Sequence, residues 1–182
     1  MLPTVIVLAS GRGERFLASG GQTHKLQALL LDKPVLEHTL DAVRASGLPF
    51  HVEAVGHPGM GDSIAAGVRA TPDADGWLIL PADLPLVQAQ TLQRIAQVDA
   101  AHRVVVPCFE GQSGHPVRFA AGCGPSLMNL KGNQGAVLIL KELGAIKIEI
   151  DDAGCVTDID TVQDLERAQQ LLLRRRELGH ST

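Results

Sequence analysis

The chain has 182 residues, of which 45% are hydrophobic and 20% charged, a composition typical of one globular domain, here over residues 1–182. Its 16 Lys and Arg residues face 20 Asp and Glu residues, a formal net charge of −4, so the positive charge that draws proteins to polyanions is missing. Tyr is absent and aromatic residues make up 3% of the chain, which removes the stacking platforms of single-strand binders. We therefore exclude a nucleic-acid coat protein and expect no nucleic-acid partner.

Cysteine usage and the N-terminal residues point to a cellular compartment. Cys108, Cys123 and Cys155 have no CxxC spacing, and their odd number leaves no complete disulfide framework. The apolar run at the N-terminus stops at Ser10 and Gly11, which makes it too short for a signal core or a membrane span. We therefore expect a protein of the reducing cytoplasm with no membrane contact.

Strands and helices alternate in the first half of the chain. A continuous apolar run from Val5 to Ala9 predicts a strand buried on both faces, and a glycine-rich loop follows it. Apolar residues at helical spacing predict a helix after Pro34, with Gly47 as its stop. The next predicted elements are a strand over 50–56, a helix over 62–70 that Asp62 or Ser63 caps, a strand over 76–82 and a helix over 88–100.

The second half of the chain continues this alternation. The predicted elements are strands over 103–107 and 115–119, helices over 122–130 and 134–144, and a pair of strands over 146–150 and 155–160 around the turn DDAG. An amphipathic helix over about 161–178, capped by Asp160 or Thr161, packs on the sheet. The arginines at 174–176 are interpreted as the solvated end of this helix, without a function. The pattern indicates a doubly wound α/β fold, whose ligands lie beyond the carboxyl ends of the strands.

The loop after the first strand, ASGRGERFLASGGQTHK, carries the strongest local signal. It combines glycines, which permit close approach of the backbone, with cations that suit a polyphosphate. The glycines are Gly11, Gly13, Gly20 and Gly21, and the cations are Arg12, Arg15 and Lys25. A GxGxxG fingerprint of an NAD-dependent dehydrogenase would need glycine at Phe16, and a P-loop would need Gly-Lys-Ser/Thr where His24-Lys25-Leu26 stands. Both of these alternatives are disfavoured.

Carboxylates follow two of the predicted strands. Asp83 comes directly after the apolar strand and lies between Pro81 and Pro85, where it could ligate a hard cation such as Mg²⁺ or cap a turn. Asp158 and Asp160 are predicted on one face of a strand, because strand side chains alternate. Carboxylates that face a cationic glycine loop across the sheet edge indicate metal-assisted nucleotide chemistry.

Several segments, in order, resemble the blocks of a known family. VIVLASGRGERF is similar to the LAAGxGxRMG opening of the MobA-like NTP transferases, the nucleotidyltransferases that act on molybdopterin. The segments GMGDSIAAGV, LPADLPLV, GQSGHPVRF, KGNQGA and DIDTVQDL resemble that family's GMSSSLRAG, ADMP, GHP, KGDxGAR and DIDTPEDL. The resemblance spans the chain from about Val5 to Arg167 and is closest to the molybdenum cofactor cytidylyltransferase (MocA-like) branch.

This resemblance implies a Rossmann-like three-layer α/β/α sandwich with a mostly parallel central sheet, of the nucleotide-diphospho-sugar transferase type. It implies Mg²⁺-dependent transfer of a nucleoside monophosphate from an NTP to a phosphorylated acceptor, molybdopterin or molybdenum cofactor, with release of pyrophosphate. CTP is expected because Ala9 stands where guanylyl-transferring relatives usually carry Gly.

The resemblance also implies roles for individual residues. Catalytic roles are implied for Arg15, Lys25 and Asp83. Nucleotide binding is implied for Leu8, Ala9, Ser10, Gly11, Arg12, Gly13, Lys25, Gly61, Ser63 and Asp83. Acceptor binding is implied for Gly114, His115 and Pro116, and metal binding for Asp83 and Asp160, with Asp158 as the alternative second ligand.

The chain departs from the family pattern in its middle. SGLPFHVEAVGHPGMGD covers in one strand a distance over which the family usually places a further strand and helix, so we expect one middle βα unit to be missing. This shortening keeps a second hypothesis open, a non-catalytic chaperone that binds a nucleotide or molybdopterin and serves a client molybdoenzyme. A third hypothesis is nucleotidyl transfer to a different sugar or cofactor phosphate.

Overall fold

The computed structural model describes residues 2–179. Its strands are β1 (Thr4–Leu8), β2 (Leu29–Leu30), β3 (Lys33–Pro34), β4 (Phe50–Glu53), β5 (Trp77–Pro81), β6 (Val104–Phe109), β7 (Gln112–Ser113), β8 (Val117–Phe119) and β9 (Ile146–Glu149). Its helices are α1 (Glu14–Ala18), α2 (Val35–Ser46), α3 (Met60–Ala70), α4 (Ala89–Ala96), α5 (Gly124–Met128), α6 (Val137–Leu143) and α7 (Val162–Gly179). Short 3₁₀ turns occur at Ala121–Cys123, Gly132–Gln134 and Ala153–Val156.

One seven-stranded sheet forms the centre of the described part of the chain. Its strand order is β4-β1-β5-β8-β6, and β7 and β9 both pair with β6. β4, β1 and β5 are parallel neighbours, and β9 is parallel to β6. β8 runs antiparallel to both β5 and β6, so β6 points the same way as β5. The sheet is therefore mostly parallel, and the carboxyl ends of β4, β1 and β5 meet at one edge.

Apolar side chains alternate between the two faces of this sheet. In β1, Val5 and Val7 belong to one core and Ile6 to the other, and all three are fully buried. Burial of each such side chain contributes roughly 1.5–3 kcal/mol to folding. Helices α2, α4 and α7 cover the first core, and α3, α5 and α6 cover the second. The predicted three-layer α/β/α sandwich is confirmed.

The middle of the chain is short, as expected. Between α2 and α3 the chain forms a single strand, β4, which pairs only with β1 among residues 2–179 and lies at the edge of the sheet. The absence of a further βα unit between residues 46 and 60 is confirmed. In the described part of the chain, the loop that follows β4 therefore has no neighbouring strand on its outer side.

The start of α3 differs from the prediction. The helix begins at Met60, and its N-cap, Gly59, makes no side-chain hydrogen bond. The carboxylate of Asp62 instead accepts the amide of Gly132 at 2.8 Å. Ser63 lies inside the first turn, where its hydroxyl donates to the carbonyl of Gly59 at 3.2 Å. The prediction of Asp62 or Ser63 as the cap is wrong because both side chains bind other partners.

The predicted strand over 155–160 is also wrong. After β9 the chain turns at the buried Asp152, whose carboxylate accepts the amide of Gly154 at 2.9 Å and starts a 3₁₀ turn. Gly154 packs so closely on the loop after β5 that a Cβ would lie 2.0 Å from the carbonyl oxygen of Leu86. Further on, the amide of Ile159 donates to the carbonyl of Asp83 at 2.9 Å. Residues 153–161, the crossing segment, therefore run across the edge of the sheet and pair with no strand.

The last helix begins as predicted. Thr161 caps α7, because its hydroxyl accepts the amide of Asp164 at 3.2 Å while the carboxylate of Asp164 accepts the amide of Thr161 at 2.8 Å. Ala168 is fully buried in the first core, and the predicted apolar side of α7 faces it. Within residues 2–179, no helix is both long enough and apolar enough to cross a membrane.

One of the C-terminal arginines has a structural role that was not predicted. Arg175 donates to the carboxylate of Asp152 at 2.8 Å and to the carbonyl of Leu86 at 2.6 Å. Asp152 is 3% exposed and also accepts the amide of Gln88 and the hydroxyl of Thr91. The interpretation of 174–176 as a merely solvated helix end is therefore wrong for Arg175, since it neutralises a buried carboxylate that joins α4, α7 and the crossing segment.

Candidate active site

A cavity of about 720 Å³ opens at the edge where the parallel strands end. Its walls are the loops after β4, β1 and β5, the residues that lead into β8, and the crossing segment. We call the part lined by residues 57–60, Ser63 and Ser10 the β4 end, and the part lined by Arg15, Lys25, Asp83 and Asp160 the centre. The part lined by 112–115 and Cys155 is the β8 end.

The glycine loop after β1 is folded back on itself. Gly13 has a φ of 67°, a left-handed conformation that lets the chain turn into the short helix α1, which was not predicted. The ring of His24 packs on Gly13, and its Nε2 lies 2.7 Å from the carbonyl oxygen of Gly11. Phe16 is buried so close to Gly21 that a Cβ there would lie 2.3 Å from the ring. All three cations of the loop line the cavity.

Backbone contacts hold the loop that carries Asp83. The amide of Ala82 donates to the carbonyl of Leu8 at 3.0 Å, and the carbonyl of Ala82 accepts the buried hydroxyl of Thr39 at 2.8 Å. The carbonyl of Asp83 itself accepts the amide of Ile159. Asp83 is thus fixed by β1, α2 and the crossing segment together.

The crossing segment carries the two remaining carboxylates of the motif DID. Asp160 directly precedes the cap of α7, and its amide donates to the carboxylate of Asp164 at 3.3 Å. Asp158 lies at the rim of the cavity, where partial burial, together with repulsion from Asp83 and Asp160, raises its pKa above the ordinary value. Because this segment is irregular, the two carboxylates do not share a strand face as predicted.

Two carboxylates and two cations meet at the centre of the cavity. The Lys25 ammonium lies 2.6 Å from Asp83 Oδ2 and 2.9 Å from Asp160 Oδ1, and Arg15 lies 2.6 Å from Asp160 Oδ2. Burial alone would lower the pKa of Lys25, but the attraction of Asp83 and Asp160 outweighs it, so the pKa is raised. Lys25 therefore stays charged and bridges carboxylates that are far apart in sequence.

The centre also has the donor atoms for a divalent cation. Asp83 Oδ1 is buried without a hydrogen-bond partner among the described residues, and a cation would satisfy it. Mg²⁺ is commonly held by one or two carboxylates with water and substrate phosphates completing its shell, and Asp83 and Asp160 supply that number. Within the described residues, no group of three or more His, Cys, Asp or Glu side chains is arranged to hold a metal ion. The residues fit a cation shared with substrate and not a closed structural metal site.

The β4 end is built from polar side chains. Ser10 and Ser63 hydroxyl oxygens lie 2.6 Å apart and join the glycine loop to α3. Glu53, at the end of β4, is 6% exposed and lies 3.1 Å from His57 Nε2 and 3.5 Å from His51 Nε2. Burial would raise the pKa of Glu53, but these contacts and the amide of Val55 outweigh it, so the pKa is lowered and the carboxylate is ionised.

The β8 end is closed by backbone packing. The amide of Gly114 donates to the carbonyl of Pro107, and the amide of His115 donates to the carbonyl of Cys155, both at 2.8 Å. A Cβ at Gly114 would lie 2.3 Å from that Cys155 oxygen. His115 Nδ1 is buried and has no hydrogen-bond partner within residues 2–179. Burial lowers the pKa of His115, because it outweighs the nearby carboxylates. Burial likewise raises the pKa of the Cys155 thiol to about 11.

The cavity brings together most of the residues that the sequence singled out. Those that line it are Leu8, Ser10, Gly11, Arg12, Gly13, Arg15, Lys25, Ser63, Asp83, Gly114, His115, Asp158 and Asp160. Ala9 packs on the first core instead, and Pro116 is buried behind His115. Gly61 faces the backbone of Lys131, where a Cβ would lie 2.9 Å from the carbonyl oxygen.

Other lining residues were given no role in the sequence analysis, although Met60, Gln112, Ser113 and Asn133 lie inside the quoted family blocks. They include His57, Pro58, Met60, Gln112, Ser113, Asn133 and Cys155. Several of them directly precede or follow the motifs GMGDS and GHP, so a search of the neighbours of each motif would have found them. Cys155 gave no such signal, because its place depends on the turn at Asp152.

Sequence comparisons identify relatives of the chain. A family model described as MobA-like NTP transferase domain matches residues 43–146, more than half of the chain. The chain is also similar to the purine catabolism protein PucB of Bacillus subtilis, with 33% identity over 128 residues that make up 68% of this chain and 62% of PucB. The chain thus spans less than two thirds of the length of that relative.

Solved structures share the whole fold. Rv0371c from Mycobacterium tuberculosis H37Rv superposes with a TM-score of 0.79 at 26% identity, covering 93% of this chain and 99% of Rv0371c. The molybdopterin-guanine dinucleotide biosynthesis protein A of Archaeoglobus fulgidus superposes with a TM-score of 0.69 at 18% identity, covering 94% of this chain and 99% of that protein, which shows the fold alone. With the fold, the cavity and the family model in agreement, the chain belongs to the MobA-like NTP transferase family.

Proposed function

We propose that this protein is an Mg²⁺-dependent nucleotidyltransferase of the cytoplasm that moves CMP from CTP to the phosphate of a molybdopterin-type acceptor and releases pyrophosphate. One observation carries the proposal: Arg15, Asp160, Lys25 and Asp83 form a continuous chain of contacts of 2.6–2.9 Å at the centre of the cavity. Membership of the MobA-like NTP transferase family supports this class of reaction.

In this proposal each substrate occupies its own part of the cavity. The nucleoside lies at the β4 end, beside Ser63 and the glycine loop, and its triphosphate runs along the loop residues Ser10 to Gly13 toward the centre. The acceptor lies at the β8 end, against Gly114 and His115. Neighbouring strands are separated by about 4.8 Å, so the two ends are separated by roughly three strand spacings, a distance that suits two substrates meeting between them.

The charges at the centre suit phosphoryl chemistry. An oxygen of the acceptor phosphate attacks the α-phosphorus, a new P–O bond forms, and the bond to the bridging β-phosphate oxygen breaks, with its electron pair leaving on pyrophosphate. All reactants are anionic, so repulsion opposes the reaction. Arg15, whose side chain is 78% exposed, is free to turn from Asp160 to a phosphate, and Lys25 places a second positive charge beside the same atoms.

Asp83 and Asp160 are the residues that would hold Mg²⁺. The orphaned Oδ1 of Asp83 supports this assignment, and Rv0371c, which shares the fold, has also been solved in a complex with manganese. A divalent cation at this place supplies positive charge that offsets phosphate repulsion and stabilises the departing pyrophosphate.

The missing βα unit favours one competing function. Because β4 lies at the edge of the sheet, the wall that can bind a substrate there is smaller. A smaller wall would suffice for a chaperone that holds a nucleotide or molybdopterin for a client molybdoenzyme, since a chaperone needs no turnover. The same cavity would also serve an enzyme that acts on another sugar or cofactor phosphate.

The decisive experiment measures pyrophosphate release by the purified protein. CTP with molybdopterin and Mg²⁺ is compared with GTP, with no acceptor and with a panel of sugar phosphates, for the wild type and for Asp83→Asn. We expect release that depends on CTP and molybdopterin, and a loss of at least about a hundredfold for Asp83→Asn, because the variant removes a charge that contacts the reacting centre. Asp32→Asn changes an exposed carboxylate outside the cavity and serves as the matched control.

Three results would contradict the proposal. Equal specific activity of Asp83→Asn and the wild type removes Asp83 from the reaction. Tight nucleotide binding without pyrophosphate release under any condition favours the chaperone. Release with a sugar phosphate but not with molybdopterin moves the protein to another acceptor.

A further inference from the structure

Two histidines converge on one buried carboxylate at the β4 end. The carboxylate of Glu53 lies 3.1 Å from His57 Nε2 and 3.5 Å from His51 Nε2, and it accepts the amide of Val55 at 3.1 Å. Glu53 is 6% exposed, and its ionised carboxylate can accept hydrogen bonds but cannot donate them. Both imidazoles therefore carry a proton on Nε2.

The two histidines differ in what lies on their other side. The His57 side chain is 20% exposed and lines the cavity, whereas the His51 side chain is 32% exposed and does not. Both histidines contact Glu53, so they differ in whether they line the cavity and not in their hydrogen-bond partner. His57 is the one that can meet a bound ligand.

The contact with Glu53 determines whether the other ring nitrogen of His57, Nδ1, donates or accepts a hydrogen bond. In a neutral imidazole one nitrogen donates and the other accepts. In the neutral form with Nε2–H donated to Glu53, Nδ1 is an acceptor, and it has no hydrogen-bond partner among residues 2–179. The side chain of His57, which lines the cavity, therefore carries this acceptor at the β4 end.

The surroundings of His57 suit a nucleobase. Pro58, Gly59 and Met60 continue the same wall, and the side-chain oxygen of Asn133 lies close enough to Gly59 to be 2.7 Å from a Cβ built there. The chain has few aromatic side chains, and the lining of this end includes no aromatic ring apart from His57, so stacking cannot distinguish one base from another here. Discrimination at this end falls to hydrogen bonds.

Resting on the nucleotidyltransferase function proposed above, we propose that His57 is the residue that selects the nucleobase, with its Nδ1 accepting a hydrogen bond from an exocyclic amino group, and that Glu53 is the positioning residue that holds His57 in this tautomer. Cytosine carries an amino donor at C4 where uracil carries a carbonyl acceptor. An acceptor on the protein therefore binds cytosine and opposes uracil, two bases of nearly equal size.

The test compares dissociation constants of CTP and UTP, measured by titration calorimetry with Mg²⁺, for the wild type, His57→Leu and His51→Leu. We expect the wild type to bind CTP about tenfold more tightly than UTP. This is the difference expected when the cytosine amino group makes a hydrogen bond that the uracil carbonyl cannot make. His57→Leu reduces the ratio to within about twofold, and His51→Leu keeps the wild-type ratio. Thermal melts confirm that each variant is folded.

Glu53→Gln provides a second variant that keeps both histidines in place. The amide of Gln can donate to Nε2, which moves the ring proton to Nδ1 and turns the acceptor into a donor. We expect the preference for CTP over UTP to fall to about one or to reverse, while binding of the triphosphate is retained. A purely structural role for Glu53 would weaken both nucleotides equally and would overturn this assignment.

The outcomes separate this inference from the proposed function. Binding of neither nucleotide by the wild type refutes the nucleotide site and with it both proposals. Binding of CTP with an unchanged CTP to UTP ratio in His57→Leu overturns the role of His57 and leaves the proposed function standing. If both His51→Leu and His57→Leu lose the preference for CTP over UTP, the role of His57 is overturned. A residue outside the cavity would then affect the choice of base as strongly as one that lines it.

Discussion

The β4 end and the β8 end of the cavity are built on different principles. At the β4 end, the side chains of Ser10, Ser63 and His57 line the cavity, although Gly59 and Gly61 pack on the backbone of residues 131–132. Next to Ser10, a Cβ built at Gly11 would have no atom within 4 Å. At the β8 end, backbone packs on backbone, and a Cβ at Gly114 would overlap the carbonyl of Cys155. The wall beside the β4 end is therefore open at Gly11, whereas the wall of the β8 end is closed at Gly114.

This difference suits the two substrates proposed for these ends. Open space at Gly11 leaves room for the phosphates of a nucleotide beside the glycine loop. A rigid wall positions an attacking phosphate, because the reacting atoms must approach to within about 3–3.5 Å in line. The centre between them needs charge more than shape.

The largest effect is expected from Gly114→Ala. The added methyl has no space between the backbone atoms of the crossing segment, so we expect a loss of about 3 kcal/mol in the free energy of unfolding. Urea denaturation measures it. Gly11→Ala is the matched control, since it adds the same methyl in open space and is expected to change stability by less than about 0.5 kcal/mol. Equal costs at the two positions would refute the contrast between the ends.

A medium effect is expected at the centre from Lys25→Met. Removal of the ammonium leaves Asp83 and Asp160 facing each other, and we expect a loss of about 2 kcal/mol, below the cost of a fully buried pair because the three groups are 13–21% exposed. Mn²⁺ or Mg²⁺ should restore part of this stability, since a ligand that binds the folded state stabilises it.

The control for that experiment is Lys33→Met, which removes a lysine from an exposed pair with Asp41. Its expected change is within about 0.5 kcal/mol, with no response to the metal. A Lys25→Met protein that is as stable as the wild type without metal would show that the bridge contributes nothing to the fold.

The smallest effect is expected from His115 and depends on pH. The pKa of His115 in the folded protein lies below the ordinary value of 6.5, so the unfolded chain binds a proton that the folded chain does not. Stability therefore falls as the pH decreases from 6.5 toward the lowered pKa. His115→Gln should remove this part of the acid dependence, as measured by thermal melts between pH 7 and pH 5. Parallel curves for the variant and the wild type would contradict it.

The sheet and the central charges could be predicted from the sequence because each has a local signature. β1 is an unbroken apolar run. Asp83 lies between two prolines after an apolar strand, and Asp160 directly precedes Thr161, the cap of the last helix. The family blocks are similarly local. The carboxyl edge of a parallel sheet then brings these residues together without further information.

What could not be predicted depends on contacts between distant segments. The crossing segment alternates apolar and polar residues as a strand does, but the buried Asp152 and the close packing of Gly154 on Leu86 decide its path. His57 was missed because its importance comes from Glu53, and an acidic residue at the end of an apolar strand gives no sign that it will be buried.

The bridge between Lys25 and Asp160 joins residues that are 135 positions apart, and this separation has a consequence for how the protein is made. A ribosome releases the glycine loop early and the crossing segment late, so the two halves of the centre cannot meet until nearly all of the described chain has emerged. Closing so long a loop is entropically costly and tends to slow folding. During synthesis the nascent protein therefore carries Lys25 and Asp83 without their third partner, and the activity proposed above should appear only after synthesis has passed Asp160.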